Sequence, residues 1–191
     1  MYKVKSIVFT CVLCIILLGC KQPSEPTSLV LLTAAAKFVE VNSFAMSYKQ
    51  GIALAMATGN DVSIEGLSDN WEYLYIDTNT TVLPRRYYFH ANSNGVGFDS
   101  STSMHEGLWV ITLSWFDNDS AVYIAENNGG AEFRSNNPNC TITAMLVGSV
   151  YPKAATDWYI SYNHFSDNGY EKFLMVGIDA NTGEVRFRST D

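Results

Sequence analysis

Basic residues are scarce in this 191-residue chain. Lys and Arg number 12 against 19 Asp and Glu, which gives a formal net charge of -7. Nucleic-acid binding depends on Lys and Arg side chains that neutralise phosphates. The acidic balance therefore argues against a nucleic-acid partner.

Histidine and recognisable catalytic motifs are also scarce. The histidines are His90, His105 and His164, none within a few residues of another, whereas a zinc site needs three or four ligands that converge. No Gly-x-Ser-x-Gly elbow occurs, and no glycine-rich phosphate loop follows a strand. We therefore expect no enzymatic activity, no cofactor and no bound metal. A metal-dependent enzyme that uses these histidines is kept as an alternative.

The first twenty residues have the pattern of an export signal. Lys3 and Lys5 precede an apolar run, 7–18, which is too short for an ordinary membrane-spanning helix. The run ends in Leu17-Leu18-Gly19-Cys20, which resembles the lipobox of bacterial lipoproteins. An ordinary signal peptide or a retained membrane anchor is the alternative.

The lipobox resemblance implies a processed and lipid-anchored protein. Residues 1–19 would be removed as a signal peptide, and Cys20 would carry a thioether-linked diacylglycerol, with the lipid bilayer as its partner in the bacterial cell envelope. Residues 20–28 have almost nothing apolar to bury and predict a tether. Lys21 stands where enterobacterial lipoproteins of the inner membrane have Asp, which favours the outer membrane if the organism has one.

Cysteine is limited to four positions, and processing would remove or modify three of them. Cys11 and Cys14 lie in the signal and Cys20 is the lipidation site, so Cys140 is left without a disulfide partner. It begins an apolar strand, which predicts a small buried side chain rather than a reactive thiol.

The first half of the chain predicts one helix followed by strands. Apolar residues recur at spacings of three and four from Ser28 to about Ala57, which indicates a helix with a break near 42–43 or at Gly51. Alternating patterns predict strands over 71–77 and 86–91. Residues 100–107 are expected to form a polar loop, and 108–116 the strongest strand of this half.

The second half predicts a shorter helix and three strands. Asp117 to Ser120 supply caps for a helix over 121–127, closed by Gly129-Gly130. Strands are expected from Cys140, from Trp158 to Asn163 and from Lys172 to Ala180, with a tight turn over 179–183. The predicted fold class is α+β.

Two helix-plus-antiparallel-sheet units are expected, one over 29–116 and one over 117–191. The spacing from Trp71 to Gly95 is 24 residues and that from Trp158 to Gly183 is 25. This similarity favours a tandem repeat.

The C-terminal unit resembles the PepSY family of small extracytoplasmic domains. The matching features are the helix ending 125–130, the paired strands and the terminal segment Ile178 to Val185, which is similar to the Asp-x-x-Thr-Gly-Glu ending of that family. The resemblance implies a fold like that of the β-lactamase inhibitor protein, whose concave sheet face grips another protein. It also implies restraint of a peptidase. The matched positions are structural, so no binding residue follows from them.

Aromatic residues alternate along one predicted sheet face. Two interpretations stay open for them, core packing or an exposed stripe that binds protein or glycan. We predict a non-catalytic, membrane-anchored binding module with a protein partner in the envelope, and a lipoprotein that binds a glycan or small ligand is the alternative. The candidate binding residues are Trp71, Tyr73, Tyr75, Tyr87, Trp158 and Tyr162.

Overall fold

The computed structural model describes residues 31–79, 85–103, 109–111, 114–149, 155–165, 169 and 171–191. Its strands form one eight-stranded antiparallel sheet in the order β4-β3-β2-β1-β5-β6-β7-β8. The helices are α1 (Ala34–Tyr48), α2 (Asn118–Ala125) and α3 (Ala131–Asn136). The strands are β1 (Ile52–Gly59), β2 (Asn70–Asp77), β3 (Arg85–Asn92), β4 (Gly95–Ser103), β5 (Thr141–Ser149), β6 (Ala155–Phe165), β7 (Glu171–Asp179) and β8 (Val185–Thr190). Within this part of the chain, no helix has the length and apolarity needed to cross a bilayer.

The prediction of two helix-plus-antiparallel-sheet units is wrong, because the sheet is continuous. Met56–Gly59 of β1 pairs with Ala144–Val147 of β5, and these hydrogen bonds join the strands of 29–116 to those of 117–191. Each segment contributes a helical part and then four strands. The order of elements is thus repeated along the chain, while the sheet is shared.

The joining strand β1 was missed because its residues also suit a helix. α1 begins at the cap Thr33, whose Oγ1 accepts a hydrogen bond from the Ala36 N–H, and it ends at Tyr48 rather than near Ala57. Gly51, at φ +74°, then turns the chain into β1. Ala, Leu and Met in β1 have high helix propensity, but pairing with neighbours on both sides overrides that local preference.

Both helical layers cover the same face of the sheet. Alternate residues of β2, β3, β6 and β7 form one core cluster with Val41 and Ala45 of α1 and with Val122 and Ala125 of α2. The helix N-termini meet at Asn118, whose side-chain oxygen accepts a hydrogen bond from the Ala34 N–H at 2.8 Å. The opposite side of the sheet carries no helix among the described residues.

Two further expectations in the first half are wrong. Residues 100–103 belong to β4, a strand at the edge of the sheet. These residues are polar and lack the apolar alternation that predicts a strand, and their pairing with β3 holds them in the sheet. In the predicted strand 108–116, the described residues form an isolated bridge from Trp109 to Gly148 and single backbone hydrogen bonds to Leu54 and Ala180, but no strand. Ile111 is buried in the core, whereas Trp109 is about half exposed.

The second half follows its predictions more closely. β5, β6 and β7 lie where strands were expected, and the turn after β7 is confirmed. Asp179 Oδ1 accepts hydrogen bonds from the N–H groups of Asn181 and Thr182, and Gly183 has φ +77°. α2 leads into a π-helical turn, Glu126–Gly130, in which Asn128 and Gly129 have non-helical dihedral angles. A further helix that was not expected, α3, begins after it at Ala131.

Candidate functional site

The six predicted binding residues lie in the core. The side chains of Trp71, Tyr73, Tyr75, Tyr87, Trp158 and Tyr162 are 0–8% exposed, beneath the helices. Tyr73 donates its hydroxyl to the Ala34 carbonyl oxygen at 2.5 Å, and burial raises its pKa. Of the two interpretations, core packing is the one that describes this face, so these residues present no surface to a partner.

The other predicted site residues are not gathered into a centre. Cys20 and His105 lie outside the described residues. His90 pairs with Asp99, and His164 lies on β6. In the described ranges no three His, Cys, Asp or Glu side chains converge as metal ligands. Cys140 is half-buried, and desolvation raises the pKa of its thiol, which leaves it less reactive at neutral pH.

The described helices all lie on one side of the sheet, and we define the other side, opposite α1 and α2, as the helix-free face. Because side chains alternate along a strand, it carries the residues between those of the core. Glu72, Thr58, Met145 and Tyr159 form one row on it, since Thr58 pairs with both Glu72 and Met145, and Met145 pairs with Tyr159. Leu74 and Ile76, further along β2 on this face, are only 1% and 7% exposed, so the more open part of the face lies over β5 to β8.

An apolar patch occupies the helix-free face over β5 to β8. We define it as Met145, Tyr159, Met175 and Phe187. The first three are half-buried and Phe187 is 40% exposed. The Phe187 ring lies over Gly177, and its centroid is 5.7 Å from the centroid of the Tyr159 ring. Partly exposed Met, Tyr and Phe side chains on a firm sheet are the residue types that protein interfaces favour.

Charged residues border the patch at the β7–β8 end. Arg186 Nε lies 2.9 Å from Asp157 Oδ1, and its terminal nitrogen also contacts the Asp179 carboxylate. Desolvation raises the pKa of Asp157, with Arg186 acting against it. For Asp179, hydrogen bonds from Asn181, Arg186 and Thr182 outweigh desolvation and lower the pKa. Arg186 is therefore committed to these two carboxylates and ties β8 to the sheet.

A second charged group lies at the other end of the row. His90 Nδ1 is 2.5 Å from Asp99 Oδ1, and Gly97 leaves the space that the imidazole occupies. Glu72 pairs across the strands with His90. Desolvation, followed by the nearby charge of Asp99, raises the pKa of Glu72. Glu72 has no ion pair with any other described residue.

Sequence reasoning missed the residues of the helix-free face, although their signal was present. Met145 and Tyr159 stand at alternate positions to the core residues of β5 and β6, so the same period of two defined both sets. The larger and more apolar set was taken for the binding surface. That set is the one the helices cover.

Comparison with known proteins shows a similarity in fold to a solved structure. No protein-family model matches the chain, so the PepSY resemblance is not confirmed, and no curated protein sequence matches it. The structure is similar to the crystal structure of a protein described as a candidate lipoprotein, from Clostridium difficile 630, with a TM-score of 0.50. The two are 11% identical, and the match covers 81% of this chain and 92% of that one. The chain thus shares the fold of a candidate lipoprotein.

Proposed function

We propose that the protein is an envelope lipoprotein, anchored through acylated Cys20, that binds another protein through the apolar patch of its helix-free face and catalyses no reaction. The observation that carries the proposal is the patch itself, in which aromatic and Met side chains are partly exposed on the sheet and are covered by none of the described helices. The lipobox and the fold of the Clostridium difficile protein support the envelope location.

The anchor and the patch lie on different parts of the chain. The segment 21–28 between the lipid and the fold predicts a flexible tether, which would let the sheet reach a partner near the membrane. Lys21 favours the outer membrane where the organism has one. A peptidase as the partner is the particular form of this function that the PepSY resemblance predicts.

The anchor is tested by metabolic labelling with an alkyne fatty acid. The native protein should incorporate the label and fractionate with membranes, and Cys20→Ala should lose both properties. Cys140→Ala is the matched control and should keep them. Label that persists in Cys20→Ala would contradict the assignment.

The patch is tested by placing a photo-crosslinking amino acid at Tyr159 and, as a control, at Tyr123. Tyr123 is 70% exposed but lies on α2, on the opposite side of the molecule. One discrete crosslinked protein at Tyr159, absent at Tyr123 and lost in Phe187→Ala, is the expected result. Equal crosslinking at both positions would remove the proposal.

A further inference from the structure

The row that crosses the centre of the sheet joins the apolar patch to an acidic group. Glu72 lies on β2, Thr58 on β1, Met145 on β5 and Tyr159 on β6, in register on four neighbouring strands. All four side chains are partly exposed, although the Thr58 hydroxyl oxygen is buried, so one ligand lying across the strands can reach both ends of the row.

Glu72 is the charged residue of this row, and it forms no ion pair with another described residue. Its carboxylate is partly withdrawn from water and faces the charge of Asp99, while Asp99 itself is held by His90. A desolvated carboxylate without a cation is unfavourable, and a cation placed beside it removes that cost. At the far end, Arg186 is already shared between Asp157 and Asp179.

The net charge of the whole chain is negative, like the charge of Glu72. The formal net charge is -7, and removal of Lys3 and Lys5 with the signal would make it -9. An acidic surface attracts a basic partner over a distance and repels an acidic one.

We propose that the helix-free face binds a basic segment of a partner protein, which sets a Lys or Arg side chain beside Glu72 and an apolar side chain on Tyr159 and Phe187. This inference rests on the proposed function and specifies the chemistry of the partner. The occupant is a cationic polypeptide, since the row offers a negative group at one end and an apolar surface at the other.

The geometry predicts the spacing in that segment. Three steps between neighbouring strands separate Glu72 from Tyr159, which corresponds to about 14 Å. An extended chain rises about 3.3 Å per residue and directs alternate side chains to the same side, so the basic and apolar residues are about four positions apart.

The test uses the full lipid-free chain, with Cys20→Ala, and short synthetic peptides in a Gly-Ser background. Each peptide carries one Lys and one Phe, separated by one to six positions, and binding is measured by chemical-shift changes in the protein. The tightest binding is expected at a separation of four, with shifts at Met145 and Tyr159. Replacing Lys by Glu in that peptide should abolish binding.

Glu72→Gln should weaken binding of the best peptide about tenfold, because one ion pair is lost. Glu132→Gln, on an exposed α3 glutamate, is the matched control and should bind like the native chain. Equal binding of the Lys and Glu versions of the peptide, or an unchanged affinity in Glu72→Gln, would overturn the inference. If crosslinking at Tyr159 persists at full strength in Glu72→Gln, the inference fails while the proposed function stands. If Tyr159 gives no discrete crosslink even with Glu72 present, the proposed function itself fails.

Discussion

Trp71 and Trp158 meet edge-to-face in the centre of the core, with ring centroids 6.5 Å apart and an interplanar angle of 77°. Each indole N–H donates to a backbone carbonyl in the segment that leads into a helix, Trp71 to Leu32 at 2.8 Å and Trp158 to Phe116 at 2.9 Å. The two halves therefore place equivalent side chains in equivalent roles. The pair holds both helix entries against one sheet.

Replacing either indole should destabilise the protein. Trp158→Phe removes the hydrogen bond to the Phe116 carbonyl and is expected to lower the free energy of unfolding by about 1–3 kcal/mol. Trp71→Phe should cost less, because the Leu32 carbonyl still accepts from the Ser68 N–H. A cycle of Trp71→Leu, Trp158→Leu and the double Leu variant should show a coupling of about 0.5–1.5 kcal/mol from the lost edge-to-face contact, which Phe would retain in part. Urea unfolding measures both quantities. Trp109→Phe, at a half-exposed position, is the control and should change stability little.

Asn118 should be required for the junction of the two helices. Its side chain accepts from the Ala34 N–H and donates to the Gly66 carbonyl oxygen, and it is fully buried. Asn118→Ala leaves both groups unpaired and is expected to cost about 2–6 kcal/mol, the sum of two penalties of about 1–3 kcal/mol. Asn127→Ala, whose exposed side chain bonds only to the Tyr123 carbonyl, should cost far less. Equal thermal shifts in the two variants would contradict this role.

Replacing Gly177 should destabilise the protein as long as the Phe187 ring lies above it. A methyl group at position 177 would overlap the Phe187 ring, so Gly177→Ala is expected to destabilise by about 1–3 kcal/mol. Adding Phe187→Ala to that variant should recover part of the loss, because the obstructing ring is gone. A double-mutant cycle in chemical unfolding detects the coupling. Strictly additive effects would show that the ring does not occupy this position.

Glu72 should reduce stability at neutral pH. The folded-state pKa of Glu72 is raised, so folding favours its protonated form, and stability falls as the pH rises from the unfolded pKa through the folded one. Glu72→Gln should therefore unfold at a higher temperature than the native chain at pH 7 and show the smallest difference at the acid end. Thermal melts across this range measure the effect. A lower melting temperature at pH 7 would mean that the carboxylate has a stabilising partner.

Asp179 should act in the opposite direction. Its pKa is lowered in the folded state, so the stability that its carboxylate contributes is present above the unfolded pKa. That stability is lost as the pH falls through the folded pKa. In Asp179→Asn, the free energy of unfolding should therefore fall less steeply as the pH is lowered through this acid range. Glu184→Gln, on the exposed side of the same turn, is the control and should leave this fall as steep as in the native chain.

Local chemistry determined much of this fold. The period of two placed β2, β3, β5, β6 and β7 correctly, because alternation follows from backbone geometry wherever one face is more apolar. The turn at Asp179 to Gly183 was also predictable, since it uses side-chain and backbone contacts within five residues. The lipobox likewise concerns a short contiguous segment, and Cys20 stays a prediction.

Tertiary structure alone decided the rest. Alternation in β2 separates Tyr73 from Glu72, but it does not say which side a distant helix will cover, and this choice placed the predicted binding residues in the core. β1 has a helix-forming composition and becomes a strand because β2 and β5 supply its hydrogen bonds. The same pairing merges two sequence-level units into one sheet, since contacts between residues far apart in the chain leave no local pattern.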